Sequence, residues 1–350
     1  MDLQIKPVDK AFYETNLDYL PAKLIDIHTH LSLLSLRTKK LAVARRGPTW
    51  PGRVAREHPV EDLLETYRLM FPKQTVTPVV FGPATQEYDM DASNDYVSQS
   101  AAKHKLPSLI VTTPEWTAKE LEQRVLAGGF LGLKPYLEFS PAHIAQEDIT
   151  IFDFMARHQL EVASAHGWIV MLHIPRRGRL RDPRNLEMML EIEHRYPGVQ
   201  LVIAHIGRAY CPEDVGNAFE ILKDARKMNF DFCANTSVYA MEKLLEAVGP
   251  RRVVFGSDLA VARMRMRRIC EKGFYVNLVP PGLYGDISDD PHMREVSEEE
   301  GAKLSFFMYE ELLAFRKAAE AVKLTAADIE DVMYNNAARL IANARAAAAA

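Results

Sequence analysis

Short apolar segments alternate with longer amphipathic segments along most of this chain. Eight of the short segments are rich in β-branched and aliphatic residues, as buried strands are. We predict strands at residues 23–30, 74–81, 106–113, 130–136, 168–174, 199–206, 230–236 and 252–258. Apolar positions at helical spacing predict helices at residues 60–70, 91–104, 117–128, 148–165, 185–196, 213–228, 239–248, 297–322 and 325–341.

Regular alternation of strands and helices implies a parallel sheet with right-handed crossovers. Eight strands predict a single α/β domain, a (β/α)8 TIM barrel over residues 1–345, with long loops at its C-terminal mouth and an extra C-terminal helix. A doubly wound open sheet is the alternative. It is disfavoured because neither a Gly-x-Gly-x-x-Gly motif after the first strand nor a P-loop is found.

Histidine or aspartate stands at the end of four predicted strands. His28 and His30 end the first one, and residues two apart on a strand project to the same side. His173, His205 and Asp258 follow at the ends of the fifth, sixth and eighth strands. Each could be structural when taken singly, but the strand ends of a barrel converge on one mouth. The set therefore predicts a site for Zn²⁺ or a similar divalent ion.

The composition is that of an ordinary soluble protein. The chain has 350 residues, 48 % hydrophobic and 26 % charged, with a net charge of -4, which favours neither a nucleic acid nor a membrane as partner. The N-terminus lacks the apolar core of a signal peptide, and no segment is apolar enough to span a membrane. Three scattered cysteines without CxxC spacing predict a reducing, cytoplasmic location and no disulfide framework.

Cationic residues are concentrated after the strand ends. Between residues 31 and 58, seven lysines and arginines face one acid: Arg37, Lys39, Lys40, Arg45, Arg46, Arg53 and Arg56 against Glu57. The later loops add Arg176, Arg177, Arg179, Arg181, Arg184, Arg208, Arg263, Arg265, Arg267 and Arg268. We predict a positive entrance for a small anionic substrate, with Arg176 or Arg208 as a fork-like carboxylate clamp. Salt bridges within the chain or to a second subunit are the alternative.

Two aromatic residues stand beside these groups. Trp50 and Tyr210 would line the pocket or pack in the core.

Four motifs occur in a fixed order: HTH at residues 28–30, LHIP at 172–175, IAHIGR at 203–208 and FGSD at 255–258. Together they resemble the amidohydrolase superfamily of metal-dependent barrels. The branch with aminocarboxymuconate semialdehyde decarboxylase and γ-resorcylate decarboxylase is the most similar, since YNNAARLI at residues 334–341 is similar to its closing helix.

The resemblance implies one metal ion, most simply Zn²⁺, bound by His28, His30, His173 and Asp258, with His205 beside the substrate. In two-metal relatives a carboxylated lysine at the end of the fourth strand bridges both ions. Lys134 has that place in the sequence, and His173 with His205 would then hold the second metal. The alternative, favoured by the one-metal motif set, is that Lys134 contacts an anionic substrate or seals the barrel.

The expected reaction is hydrolysis. A bound metal would supply hydroxide at neutral pH, Asp258 would take the proton of the attacking water, and His205 would polarise the scissile carbonyl or protonate the leaving group. Decarboxylation or hydration of an aromatic or muconate-type acid is the alternative. A barrel that only binds ligands is a third hypothesis, and the resemblance makes a homodimer plausible.

Overall fold

The computed structural model describes residues 3–38 and 50–349, and the side chains up to residue 346. Eight parallel strands form the centre of the fold. They are β1 (Lys23–His30), β2 (Thr75–Phe81), β3 (Ile110–Val111), β4 (Gly132–Lys134), β5 (Ile169–Leu172), β6 (Gln200–Ile203), β7 (Asn229–Asp231) and β8 (Val253–Val254). The predicted (β/α)8 barrel is therefore confirmed.

Strands β1 and β2 pair with each other, and β3 to β8 form one six-stranded sheet in chain order. Single parallel bridges join these two sheets on both sides, Val80 to Ser108 and Thr29 to Leu259. Backbone hydrogen bonds reinforce the second junction, since Ile27 donates to Phe255 and His30 donates to Leu259. Continuous strand pairing does not close the ring, but these contacts place the ends of β1 and β8 side by side.

The helices follow the strands as predicted in most places. They are α1 (Pro7–Asn16), α2 (Pro51–Val54), α3 (Val60–Met70), α4 (Met90–His104), α5 (Ala118–Gly128), α6 (Arg157–Ala165), α7 (Pro183–Arg195), α8 (His205–Arg208), α9 (Ala218–Leu222), α10 (Val238–Val248), α11 (Glu298–Gly301), α12 (Phe307–Ala321), α13 (Ala326–Glu330) and α14 (Asn336–Ala349). Thr117 caps α5, since its side chain accepts a hydrogen bond from the backbone nitrogen of Glu120.

Three predicted helices are shorter or interrupted in the structure. Residues 148–165 form a 3-10 turn, Ile151–Asp153, and then α6. Residues 213–228 are helical only over α9, and residues 297–322 are split between α11 and α12. The apolar spacing in these segments marks which side chains are buried, and turns can bury the same side chains as a helix.

The loop after β8 contains a second sheet that the sequence pattern did not reveal. Strand β9 (Arg267–Glu271) pairs antiparallel with β10 (Phe274–Val279), and β10 pairs in parallel with β11 (Met293–Glu295). Three of the five residues of β9 are charged, so the strand lacks the apolar run that marked the barrel strands.

Alternate side chains of the strands fill two separate cores. One set points into the barrel, where Ile27, Phe81 and Met171 meet Leu340 and Ile341 of α14. The other set packs outward against the surrounding helices. The predicted C-terminal helix thus contributes to the packing of the barrel interior.

The cysteines contradict the prediction. Cys211 and Cys270 form a disulfide between the segment after β6 and strand β9, and Cys233 is a buried thiol. The pair lies 59 residues apart in sequence, so no local spacing could indicate it. Because disulfides persist mainly in oxidising environments, the argument from cysteine usage for a reducing compartment is lost. Across the described residues, every helix is too short or too polar to cross a bilayer.

Candidate metal centre

The barrel brings the predicted histidines and aspartate together. His30, His173, His205 and Asp258 line the same cavity of about 1020 Å³, and His28 is fully buried beside them. The Nε2 atom of His30 lies 3.3 Å from Oδ1 of Asp258, and Nε2 of His28 lies 3.7 Å from the same oxygen. Nε2 of His173 is 2.7 Å from Nε2 of His205. We call these five residues the floor of the cavity.

Outer contacts fix the ring orientation of three floor histidines. The Nδ1 atom of His28 donates to Oδ2 of Asp231 at 2.9 Å, that of His30 donates to the Gly82 carbonyl at 3.0 Å, and that of His205 donates to the Cys233 carbonyl at 2.9 Å. A neutral imidazole that carries its proton on Nδ1 has a lone pair on Nε2. The Nε2 atoms of all three rings are therefore electron-pair donors: that of His28 lies 3.1 Å from Nζ of Lys134, that of His205 lies 2.7 Å from Nε2 of His173, and that of His30 faces Asp258.

This arrangement fits a divalent cation. The Nε2 atoms of His28 and His30 and Oδ1 of Asp258 are electron-pair donors that face one another at 3.3 and 3.7 Å. Such a group needs a proton or a metal ion between its members. Imidazole nitrogens with a carboxylate form a donor set suited to zinc. The carboxylate of Asp231 accepts the Nδ1 proton of His28, as the hydrogen-bond partners of metal-bound histidines commonly do.

Lys134 is enclosed beneath this cluster. Its Nζ atom lies 3.1 Å from Nε2 of His28 and 3.1 Å from Nδ1 of His173, and it has no exposed surface. Burial lowers the pKa of Lys134 to about 8. The side chain is not among those that line the cavity. This geometry places Lys134 beside the two histidines and away from the entrance.

The electrostatics keep His28, His173 and His205 neutral and the aspartate ionised. Burial, followed by the neighbouring Lys134 charge, lowers the pKa of His28 to about 3. The same two causes lower the pKa of His173, and burial lowers that of His205. Burial alone would raise the pKa of Asp258, but a proton shared with the His30 ring and the positive charge that the His28 and His205 rings carry when protonated outweigh it and lower that pKa. Neutral imidazoles and a carboxylate are the forms that bind metal ions.

Two floor residues lie on unusual backbone. His205, Ile206, Gly207 and Arg208 all have positive φ, between 52° and 61°, so α8 is a left-handed turn. Asp258 also has a φ of 61°. Left-handed conformations cost L-residues about 1–2 kcal/mol each. Favourable contacts in the surrounding fold must compensate for this conformational energy. The turn directs both His205 and Arg208 to the cavity.

The cations predicted at the mouth separate into two groups. Arg208 lines the cavity, and its Nη1 atom donates to the carbonyls of Ile174 and Pro175, both at 3.2 Å, with no acidic partner among the described residues. Arg176 instead donates from Nε to both carboxylate oxygens of Asp182, at 3.1 and 3.2 Å. Arg176 is absent from the cavity lining in the described part of the chain.

The other predicted cations line the cavity, form ion pairs or, for Arg37 and Arg179, do both. Arg37, Arg56, Arg177, Arg179 and Arg268 line the cavity. Intramolecular ion pairs hold Arg37, Arg53, Arg179, Arg184, Arg263, Arg265 and Arg267. Lys39, Lys40, Arg45 and Arg46 lie outside the described residues. Trp50 and Tyr210 both line the cavity, as the first of the two predicted alternatives required.

Sequence reasoning missed Asp231, which organises the floor. Its Oδ2 accepts from His28, and its Oδ1 accepts from the backbone nitrogen of His205 at 2.6 Å and from that of Cys233 at 3.2 Å. Asp231 is fully buried at the end of β7. A buried acid at a strand end was the available signal. It was overlooked because the predicted seventh strand ran on to residue 236.

The comparisons with known proteins agree with this barrel fold. The family model for amidohydrolases matches residues 25–342, so the chain belongs to the amidohydrolase family. The predicted superfamily is thereby confirmed. No curated protein sequence matches the chain.

Solved structures share the fold at low sequence identity. A probable 2-pyrone-4,6-dicarboxylic acid hydrolase from Acinetobacter baumannii, with citric acid bound, is 15 % identical with a TM-score of 0.52, over 91 % of this chain and 99 % of that one. A dihydroxybenzoic acid decarboxylase from Polaromonas sp. JS666, with manganese and 2-nitroresorcinol, is 15 % identical with a TM-score of 0.54, over 92 % and 97 %. A Burkholderia multivorans amidohydrolase with zinc is 14 % identical with a TM-score of 0.54, over 92 % and 99 %.

Proposed function

We propose that this protein is a metal-dependent hydrolase of a small, carboxylate-bearing substrate. The observation that carries the proposal is the floor itself. Nε2 of His28, Nε2 of His30 and Oδ1 of Asp258 are electron-pair donors that face one another at the base of a cavity lined by arginines, and the His173 ring lies beside them. A divalent ion at such a site lowers the pKa of water towards about 7 and thereby makes hydroxide available at neutral pH.

The metal ligands proposed are His28, His30, His173 and Asp258, and zinc is the ion that suits them best. We propose a single ion. Lys134 already lies 3.1 Å from both His28 and His173, where its amine can accept or donate a hydrogen bond within the cluster. A second ion would require carboxylation of this buried amine and recruitment of His205.

Asp258 is the proposed general base. Its side chain is 18 % exposed at the floor, whereas that of His28 is fully buried. Its lowered pKa keeps it ionised, so it can accept a proton from an attacking water. His205, with its proton held on Nδ1 by the Cys233 carbonyl, has an Nε2 atom that can accept the proton that Asp258 takes from the water and pass it to the leaving group.

Arg208 is the proposed carboxylate clamp. It is anchored by two backbone carbonyls through one nitrogen, which leaves other donors of the guanidinium for a ligand. Because it adjoins His205 on the same left-handed turn, a carboxylate bound to it would hold the substrate against the floor. Decarboxylation of an aromatic acid needs nearly the same residues and is the second candidate. The dihydroxybenzoic acid decarboxylase has the same fold.

Metal content measured by plasma mass spectrometry is the first test. We expect about one ion per chain in the wild type and loss of that ion in His28→Ala/His30→Ala. A matched control, His143→Ala/His194→Ala, removes two exposed histidines and should retain the ion. Two ions per chain would contradict the single-ion proposal and implicate Lys134. A wild type that binds no ion would overturn the proposed mechanism.

The reaction is tested with a panel of carboxylate-bearing esters, lactones and amides in ¹⁸O-labelled water. Incorporation of label into the new carboxyl group is expected for a hydrolase. Release of CO2 without incorporation would identify a decarboxylase. If the metal-loaded protein binds such acids but converts none of the panel, the barrel would instead be a binding module.

A further inference from the structure

The sheet inserted after β8, formed by β9, β10 and β11, contributes Arg268 to one side of the cavity. The Nε atom of Arg268 donates to Oδ1 of Asn277 on the paired strand at 2.9 Å, and its Nη1 atom donates to the Ala234 carbonyl at 2.7 Å. Its guanidinium carbon lies 4.4 Å from the Tyr275 ring centre and 4.6 Å from that of Phe307. Two hydrogen bonds and two aromatic rings therefore hold this guanidinium in one place.

Ala234 belongs to the segment after β7 that encloses the His205 ring. The Nδ1 atom of His205 lies 2.9 Å from the Cys233 carbonyl oxygen and 3.1 Å from the Cys233 Sγ atom. Among the described residues, both contacts of this nitrogen therefore come from Cys233. The backbone nitrogen of Cys233 donates to Oδ1 of Asp231, which also accepts from the backbone nitrogen of His205. The position of the Cys233 carbonyl thus determines where the Nδ1 proton of His205 is bound.

The conformation of Ala234 links the Cys233 carbonyl to Arg268. Ala234 has a φ of 48°, a left-handed conformation that is unfavourable for a residue other than glycine. This angle sets how the peptide plane that contains the Cys233 carbonyl is turned relative to the rest of Ala234. If φ relaxed, the Cys233 and Ala234 carbonyls would rotate relative to each other and could not both keep their present partners. The bond from Arg268 to the Ala234 carbonyl opposes that relaxation.

Strand β9 is also attached to the segment that carries His205 itself. Cys270 lies two residues after Arg268, on the same face of β9, and its disulfide partner Cys211 follows the left-handed turn that contains His205. The disulfide therefore limits how far Arg268 can move relative to His205. One strand of the inserted sheet thus contacts both the segment with the His205 ring and the segment with the carbonyl that this ring binds.

We propose that Arg268 is a positioning residue for His205. Its hydrogen bond to the Ala234 carbonyl keeps the Cys233 carbonyl in place, and this carbonyl keeps the His205 proton on Nδ1. The Nε2 atom of His205 thereby retains the lone pair with which it accepts a proton. The inference rests on the proposed function for the catalytic role of His205. It adds a group outside the barrel strands that fixes the form of this ring without touching the substrate.

The first test observes the His205 ring directly. The full-length protein is labelled with ¹⁵N at histidine, loaded with zinc and studied by long-range ¹H–¹⁵N NMR, and the His205 signals are identified by their loss in His205→Gln. In the wild type we expect the proton on Nδ1. In Arg268→Met we expect the two ring-nitrogen signals to move towards those of an Nε2-protonated ring. Unchanged signals in this variant, or a wild-type proton on Nε2, would overturn the inference.

The second test separates positioning from substrate binding by steady-state kinetics on the ester, lactone or amide that the wild type converts. Arg268→Met should lower kcat about 10- to 100-fold, as loss of a supporting hydrogen bond behind a reacting group commonly does. KM should stay near the wild-type value, because the substrate loses no contact. A raised KM with an unchanged kcat would mean that Arg268 binds the substrate instead, and the positioning role would be rejected.

Two further variants complete the comparison. Arg267→Met is the matched control, because neighbouring side chains of a strand point to opposite faces and Arg267 lies 3.5 Å from Glu310. It should change neither the His205 signals nor kcat. Arg268→Lys retains a cationic donor without the planar guanidinium, so it should retain more of kcat than Arg268→Met does. The lysine variant also serves for both tests if the methionine variant unfolds.

Failure of the proposed function is read separately, from metal content and ¹⁸O incorporation. A protein that holds its metal and incorporates the label, but keeps the wild-type His205 signals and kcat in Arg268→Met, would retain the proposed function and lose the positioning role. A protein whose His205 signals shift in Arg268→Met, but which converts none of the panel, would keep the structural link and lose the proposed reaction.

Discussion

The floor and the inserted sheet are two sides of one cavity, but they are built differently. Floor residues stand at the ends of regular barrel strands, and their second contacts are also buried, as the bond from His28 to Asp231 illustrates. The residues of the inserted sheet stand outside the barrel strands, and a disulfide fastens them to the segment after β6. The contrast indicates that the barrel supplies the reacting groups, while the insertion supports one of them from outside.

The two regions also differ in charge. The floor holds the neutral rings of His28 and His173 beside one ionised aspartate and therefore accepts a cation. The inserted sheet brings a cation of its own, Arg268, which donates to the Ala234 carbonyl and to the Asn277 side chain. A charge bound to the backbone in this way can orient a neighbouring reacting group without contact with the substrate.

The largest effect is expected from Asp258→Asn at the floor. Loss of a general base typically costs about 10²–10⁴-fold in rate, so kcat for the substrate found in the panel should fall by that range. The proton on Nδ1 of His205 should persist, because the Cys233 carbonyl still accepts it. A kcat within a few-fold of wild type would show that another group accepts the proton.

The next largest effect is expected from removal of the Cys211–Cys270 disulfide, and it should be confined to the inserted sheet and the segment bonded to it. Cys211→Ser/Cys270→Ser should lower the free energy of unfolding by roughly 2–4 kcal/mol, measured by urea titration. Hydrogen exchange at residues 267–279 should accelerate, while the metal content stays at the wild-type value. A thiol reductant should reproduce the effect in the wild type and do nothing further to the variant. Equal stability of variant and wild type would mean that the inserted sheet holds without this bond.

Arg208 and Arg176 provide a matched pair for the carboxylate clamp. Arg208→Ala should raise KM by about 10- to 100-fold, the cost of losing a hydrogen bond to a charged group. Arg176→Ala should leave KM unchanged, because its guanidinium already pairs with Asp182. Steady-state kinetics on both variants decide which arginine binds the carboxylate. A raised KM in Arg176→Ala together with an unchanged KM in Arg208→Ala would assign the clamp to Arg176 instead.

Asp231→Asn tests the support beneath the floor. An amide is a weaker acceptor than a carboxylate for the Nδ1 proton of His28, so metal affinity should fall about 10- to 100-fold in competition with a chelator. Asp224→Asn, at an exposed position, is the control. Unchanged affinity in Asp231→Asn would mean that His28 keeps its orientation without the carboxylate.

Sequence patterns predicted the barrel well where periodicity was strong. Helix α3 begins and ends at the predicted residues, and β1 does as well. Predicted strands such as 106–113 are much longer than the paired β3, Ile110–Val111. Side-chain alternation extends beyond the residues that form ladder hydrogen bonds, so a pattern overestimates a short barrel strand.

The candidate site was predictable for a related reason. His28, His30, His173, His205 and Asp258 each follow an apolar run, and parallel strands in a barrel end at one mouth. Asp231 was missed because it has no motif of its own and is recognised by what it contacts. Similarly, Arg176 and Arg208 look equivalent as arginines after strands. Only the presence of Asp182 beside one of them separates the two.

The sequence by itself determined the alternation of strands and helices and the strand-end histidines, because these depend on local periodicity. The tertiary structure alone decided the Cys211–Cys270 bond, the Asp231 support and the inserted sheet that places Arg268 on the cavity wall. Each of these depends on residues far apart in the chain. Their proximity is set by packing of the whole barrel, which no local pattern records.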